Sequence, residues 1–386
     1  MLLTILIFFV ILSVLVFVHE LGHFSVARYF GVRAEEFGMG LPPRLFGIQK
    51  INGKFRFVSG KYQPKEGEPT LYSVNLIPVG GFVKIKGENG EEETASDSFG
   101  SKPIWQRNLI LAAGVTMNVV LCVLLLSVTF MIGTPGLADQ EYRGAFVSDA
   151  QVKVLEVLPG SVAEQAGLKM GDVVLSIDEM EISSVAELQT ILSEKTDQEV
   201  VLGLERFTEE LTLTVTPSAN DEGKGEIGIA IAEMNLVKYP WYLAIWQGIK
   251  MTWLWLVLIF SALWGLILQP FGGTPSGVDF TGPIGIAVMT GQATKLGLAY
   301  LLQFSALLSL NLAIINILPF PALDGGRILF LTIGKLRGKM IDAKWENISH
   351  NLGFALLMLL IVFITYRDIA RYGGQIISVL KGLVGL

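Results

Sequence analysis

Five stretches of this chain carry no Asp, Glu, Lys or Arg: residues 2–18, 108–132, 251–278, 296–323 and 352–366. A helix needs about 20 apolar residues to cross ~30 Å of hydrocarbon, and several of these runs approach that length. With 51% hydrophobic residues, 17% charged residues and a mean hydropathy of +0.54, the 386-residue chain is too apolar for an ordinary soluble protein. The first run has no basic residue before it and no small-residue cleavage pattern after it. It is therefore expected to stay as a helix and not to be removed as a signal peptide. Cys122 is the single cysteine, so an intrachain disulfide is excluded.

The basic residues orient the chain. Residues 28–107 hold 12 of the 29 Lys and Arg and residues 327–344 hold 5, whereas 134–240 hold 7 against 20 Asp and Glu. By the positive-inside rule, the first two blocks are expected in the cytoplasm, and the acidic block and the N-terminus outside. An odd number of crossings must then separate residue 240 from Arg327, although two apolar runs lie between them. The segment 241–269 holds five of the seven Trp residues together with Lys250. It is expected to lie along the interface, where indole rings prefer to sit, within an amphipathic region 241–280. Four crossings follow, near 2–29, 107–133, 300–322 and 349–366. The first two belong to a membrane region covering residues 1–133 and the last two to a second membrane region covering residues 296–386; a fifth crossing with the opposite orientation is the competing reading.

The acidic block contains an α/β unit over residues 150–233. "QVKVLEVLP" and "GDVVLSIDEMEI" alternate as strands, and "EVVLGLER" with "EELTLTVTP" reads as a hairpin. "SVAEQAGL" is a short helix with Ser161 as N-cap and Glu164 three residues on, and "SVAELQTILS" is a second, amphipathic one. The string P-G-S-x-A-x-x-A-G-L-x-x-G-D from Pro159 to Asp172 resembles bacterial PDZ domains, of which there is one copy. In that family a short loop and an added strand hold a peptide terminus, and "GEIGIAI" resembles the loop, with Gly225, Ile227, Gly228 and Ile229 as ligand-loop residues. Peptide binding and a purely steric cap are both compatible with this string.

The chemistry is concentrated in "VHELGHF". His19 and His23 lie one helical turn apart on one face, so both imidazoles can reach one zinc, and Glu20 is placed to take a proton from water. Ionisable side chains within a span cost a few kcal/mol each, which favours a functional reason for this cluster. Zinc hydrolases usually use three protein ligands. His350 has no ligand partner near it in sequence; Asp324, in "NLAIINILPFPALDGGR", follows a long uncharged run and falls at the same cytoplasmic depth as His19. Asp279 and Glu35 are weaker candidates, and a helix-ending turn is the other reading of Asp324. Pro319, Pro321, Gly325 and Gly326 break the helix there. The apolar/basic alternation of "GGFVKIK", beginning at Gly80 and Gly81, predicts an edge strand on which an extended substrate can pair, with Phe82 and Val83 next in line. An ordinary cytoplasmic hairpin is its alternative, and "ENGEEETASDSFG" beyond it reads as a solvated loop.

In order along the chain, H-E-L-G-H (His19–His23), "LIPVGGFVKIKGE" (Leu76–Glu88), the PDZ-like unit and N-x-x-P-x-P-x-L-D-G-G (Asn316–Gly326) resemble the site-2 protease family of intramembrane zinc metalloproteases, in its RseP-like branch. The likeness covers nearly the whole chain. It implies a polytopic α-helical membrane protein of about four transmembrane helices with a membrane-associated, re-entrant β region at 50–88 and one inserted PDZ domain. It implies Zn2+ held by His19, His23 and Asp324, Glu20 as general base, and Asn316 with Asn311 positioning substrate. It further implies a bacterial cytoplasmic (inner) membrane enzyme, its PDZ domain extracytoplasmic, that cuts single-pass transmembrane substrates such as an anti-sigma factor or signal peptide remnants. No nucleic-acid partner is expected. Two departures stand out: the tandem PDZ pair of enterobacterial RseP is a single unit here, and Val115 in "AAGVTMN" occupies the place of a usual proline. A membrane-anchored PDZ adaptor with a vestigial metal site is the alternative function, but a binding module has no use for Glu20.

Overall fold

The computed structural model describes residues 2–64, 67–88, 95–138, 140–206, 209–220, 223–268, 281–339 and 341–384. They form two compact units, one of Met1–Leu125, Ile249–Thr294 and Gln303–Leu386, the other of Leu126–Gly248 and Lys295–Leu302.

The first unit starts with α1 (Leu2–Tyr29), 28 residues without a proline. Such a segment satisfies every internal backbone group by itself, which hydrocarbon demands. The chain then forms a three-stranded antiparallel sheet of β1 (Ala34–Ile51), β2 (Lys54–Ser59) and β3 (Leu71–Ile85) in the order β2-β1-β3. The sheet begins sixteen residues before the predicted β region at 50. Gly38, Gly40, Pro42, Pro43 and Gly47 disguise β1 as a loop in sequence, yet it is one long irregular strand that pairs with both ends of β3. The helix α2 (Ile104–Ile132) follows.

The second unit is a sheet domain. After β4 (Thr134–Leu137) and β5 (Phe146–Val147) come β6 (Gln151–Val157), α3 (Val162–Ala166), β7 (Val173–Ile177), β8 (Met180–Glu181) and α4 (Val185–Glu194). The hairpin β9 (Val200–Arg206) and β10 (Glu209–Val215), then β11 (Ser218–Ala219), β12 (Gly225–Glu226) and β13 (Ile229–Lys238) complete it. The main sheet runs β10-β9-β7-β6-β13-β4. Val152, Ile177, Leu188, Leu202 and Leu204 fill its core with 0–1% exposure. Ser161 caps α3 by accepting from Glu164 N–H at 3.2 Å, while the Glu164 carboxylate reaches back to Gly160 N–H, one residue earlier than a standard capping box. Asp172, 1% exposed, receives both Nε and Nη2 of Arg206 at 2.7 Å.

The remaining helices are α5 (Trp241–Leu268), α6 (Pro283–Leu296), α7 (Leu298–Ile317), α8 (Asp324–Leu336) and α9 (Ala343–Val384). Among the described residues five helices, α1, α2, α5, α7 and α9, are long and apolar enough to cross a membrane. Four crossings are expected from the charge distribution, so α5 is the point of difference. Its 28 residues form one unbroken helix, about 42 Å long at 1.5 Å per residue, and its Trp residues do not interrupt it.

Candidate metal centre

His19 and His23 project from one face of α1 toward the start of α8. Their Nε2 atoms lie 3.1 Å apart, and Asp324 Oδ2 lies 3.2 Å from the first and 3.4 Å from the second. The histidines are 6% and 7% exposed. Within the described residues these three form the one His/Cys/Asp/Glu group with its ligand atoms close enough to share a metal ion.

The donor set fits a cation. A tetrahedral zinc with bonds of about 2.0–2.1 Å has its ligand atoms roughly 3.3–3.4 Å apart, close to the three separations observed. His23 Nδ1 lies 2.8 Å from Ile110 C=O, which can only accept; Nδ1 therefore carries the proton, and Nε2 presents its lone pair to the cluster. Asn118 Nδ2 lies 3.2 Å from His19 Nδ1 and steadies that ring from α2. Asp324 Oδ2 is buried with no hydrogen-bond donor. The lone pair of His23 Nε2 and an unsatisfied carboxylate oxygen turned on one another are unfavourable unless a positive ion lies between them.

The backbone is shaped to allow this convergence. A Cβ on Gly114 of α2 would lie 2.3 Å from His23 Nε2 and 2.8 Å from His19 Cε1, so only glycine leaves the imidazoles room. Cβ atoms on Gly325 and Gly326 would meet the carbonyl oxygens of Ile317 and Phe320 at 2.2 Å, so these glycines let α8 start against the backbone that ends α7. Ala322, two residues before Asp324, has φ +79°, a left-handed conformation that costs a residue with a Cβ on the order of 1–3 kcal/mol.

Glu20 lies beside the cluster, and its Oε2 accepts from Val83 N–H at 3.0 Å. Because β3 pairs only with β1 among the described residues, that N–H points off the free edge of the sheet. A cavity of about 160 Å³ opens here, lined by Glu20, both histidines, Phe82, Val83 and Asp324 among others. Gly80, with φ +72°, and Gly81 stand on the same strand; a Cβ on Gly81 would lie 2.9 Å from Gly38 O. Glu88 also borders the cavity and pairs with Arg327 of α8.

Of the other predicted positions, Asn316 Nδ2 approaches His19 Nε2 at 3.4 Å. Asn311, five residues earlier on α7, lies about 140° round the helix from Asn316 and does not line the cavity. Glu35 pairs with Lys84 at 2.7 Å and does not belong to the cluster, and Asp279 lies outside the described residues. Gly225, Ile227, Gly228 and Ile229 line a separate cleft of about 600 Å³ in the sheet domain, between α4 and β13. Ile227 is buried there, and Gly228 adopts φ +76°. Sequence reasoning misses Ile110 O, Gly114, Asn118 and the Val83 N–H; the G-x-x-x-N spacing in α2, which aligns Gly114 with Asn118 on one face, is the signal that points to two of them.

The model of peptidase family M50 matches residues 7–60 and 61–360. A Clostridium perfringens protein named as a zinc metalloprotease is 36% identical over 367 residues, covering 92% of this chain and 96% of its own. The regulator of sigma-W protease RasP of Bacillus subtilis is 29% identical over 455 residues, covering 95% and 98%. Among solved structures, the PDZ domain of an SdrC-like protein from Listeria innocua matches 21% of this chain and 92% of its own at 25% identity, with a TM-score of 0.20. The chain belongs to peptidase family M50, the site-2 protease family of zinc metallopeptidases, and is a peptidase of that family.

Proposed function

We propose that this peptidase is a zinc-dependent endopeptidase that cleaves transmembrane segments of membrane proteins already shortened by an earlier cut. The observation that carries the reading is the meeting of His19, His23 and Asp324, ligand atoms 3.1–3.4 Å apart, beside Glu20 just past the uncharged run 2–18 of α1. Zinc bound by these three residues supplies Lewis-acid polarisation of a carbonyl and acidification of water. Glu20 takes the proton from the attacking water and returns it to the leaving amine. The Val83 N–H holds the Glu20 carboxylate toward the cavity. Asn316 donates its amide to the carbonyl oxygen of the scissile bond. A helical substrate hides its carbonyls in its own hydrogen bonds, so it must be drawn out; the outer edge of β3 from Gly80 to Val83, where Glu20 already takes the Val83 N–H, receives it as an added strand.

The sheet domain acts outside as a filter on substrate size, its α4–β13 cleft taking an extended peptide end. The lysines and arginines at 28–107 and 327–344 support a cytoplasmic location for those segments, with the sheet domain and the N-terminus outside, in a bacterial cytoplasmic membrane. The name of the B. subtilis relative, a regulator of sigma-W, supports an anti-sigma factor among the substrates, alongside signal peptide remnants.

The test is co-expression of a tagged single-pass substrate with the wild-type chain or with Glu20→Gln. Cleavage by the first and an intact substrate with the second is the expected outcome. Equal processing by both removes the enzymatic reading and leaves an adaptor built round the sheet domain.

A further inference from the structure

His350, the third histidine of the chain, lies outside the metal cluster but against the turn that leads into it. Its Nδ1 accepts a hydrogen bond from Ala322 N–H at 2.8 Å. A backbone N–H can only donate, so Nδ1 is the bare nitrogen and the ring is neutral. Ala322 is the residue held at φ +79°, and Asp324 starts α8 two positions later with no side-chain cap at Leu323. One helical turn beyond His350, α9 has no side chain at Gly353, where a Cβ would lie 2.5 Å from Pro321 O. Thus α9 touches the turn twice, once by close backbone approach and once by a directed hydrogen bond. From α8, the Phe330 ring stands 5.6 Å from the imidazole and holds its plane.

A left-handed alanine persists only where its surroundings over-determine it. The neighbouring amides of Phe320, Leu323 and Gly326 bond within the turn itself, to Leu318, Phe320 and Leu323. The Ala322 N–H points out of it, to α9. We propose that His350 is a positioning residue of the metal centre: by accepting the Ala322 N–H it fixes the turn that aims the Asp324 carboxylate at His19 and His23. The proposal rests on the reading of Asp324 as a ligand, and the experiment below separates the two.

Asparagine carries an acceptor oxygen where Nδ1 sits, glutamine carries one nearer the Nε2 position, and leucine fills the volume with none. Full-length wild type, His350→Asn, His350→Gln, His350→Leu and Asp324→Asn are purified in detergent. Zinc affinity is measured by competition with a chromophoric chelator, and kcat and KM on a transmembrane substrate. His350→Leu and His350→Gln are expected to weaken zinc binding by about 10–100-fold, the range for partners that orient ligands, and to lower kcat with KM unchanged. His350→Asn is expected to stay near wild type. If Asp324→Asn weakens zinc but the leucine and glutamine variants bind it as tightly as wild type, His350 only packs and the proposal falls. Equal weakening in all three His350 variants overturns it as well, because the acceptor is then irrelevant. Should the leucine variant not fold, the asparagine–glutamine pair decides, and equal affinities defeat the proposal. Unchanged zinc in Asp324→Asn instead removes the ligand reading itself.

Discussion

Asp172 in the sheet domain and Asp324 in the other unit are two acids whose carboxylates are treated in opposite ways. Asp172 in the sheet domain is 1% exposed and meets the Arg206 guanidinium through two bonds of 2.7 Å, while its Oδ2 also accepts from Lys169 N–H. Its charge and lone pairs are answered within the fold. Asp324 in the other unit is half-buried, and its Oδ2, shielded from solvent beside two histidines, has no donor. A native fold rarely leaves such an atom unanswered. A structural acid has its own counter-charge, whereas a candidate ligand converges with other donor atoms on a common point.

The comparison can be broken at several places. The largest effect is expected from Arg206→Leu, which strands the Asp172 charge and costs the sheet domain about 3–5 kcal/mol. Amide exchange on the full-length protein should show β7 and β9 losing protection while bound zinc stays constant; loss of zinc would mean that the two units are not chemically independent. Asp324→Asn should do the reverse. It weakens zinc at least ~100-fold, about 2.8 kcal/mol at 1.4 kcal/mol per factor of ten, with unchanged exchange in the sheet domain. Chelation of wild type should mimic it, lowering the melting temperature of the membrane unit alone.

Smaller effects sharpen the picture. Gly353→Ala pushes a methyl group against Pro321 O, and an overpacking cost of about 1–3 kcal/mol is expected to appear as weaker zinc binding, since the strained turn lies next to Asp324. A third acid completes the series. Asp178 is half-buried, and its hydrogen bonds from Lys195 and then Val201 N–H hold its carboxyl below the ordinary carboxylate range. A depressed folded pKa gives stability that is present above about pH 4, the unfolded value, and is lost as pH falls through the folded one. Lys195→Met should therefore cost under about 1 kcal/mol at neutral pH and less in acid, measured by exchange in β9.

How far the sequence is legible depends on the range of the interaction that places each residue. His19, Glu20 and His23 are positioned relative to one another by helical periodicity alone, so three letters and their spacing suffice. Asp324 is found by its isolation after an uncharged run. The partners that hold these groups are invisible for a physical reason. Spanning helices are apolar all round, so their hydrophobic pattern does not say which face turns inward. Asn118 and Gly114 are therefore hidden in α2, and the bond from Ala322 to His350 joins residues 28 positions apart across a helix break. The sheet domain is easier to read because its strands alternate and its helices carry caps, though the Glu164 reach to Gly160 is a local departure. In β1 the prolines and glycines mask a strand, whereas the tryptophan-rich α5 is the single continuous helix that its apolar run predicts.

The 3.0 Å bond between the Val83 amide and Glu20 has one more effect. It ties the sheet margin to the Glu20 carboxylate, so their separation is set by one contact whatever lies on the strand. A guest laid along that margin would have its reading frame set by the protein: side-chain identity would decide whether the guest fits, while the place of the cut would be counted off from Val83.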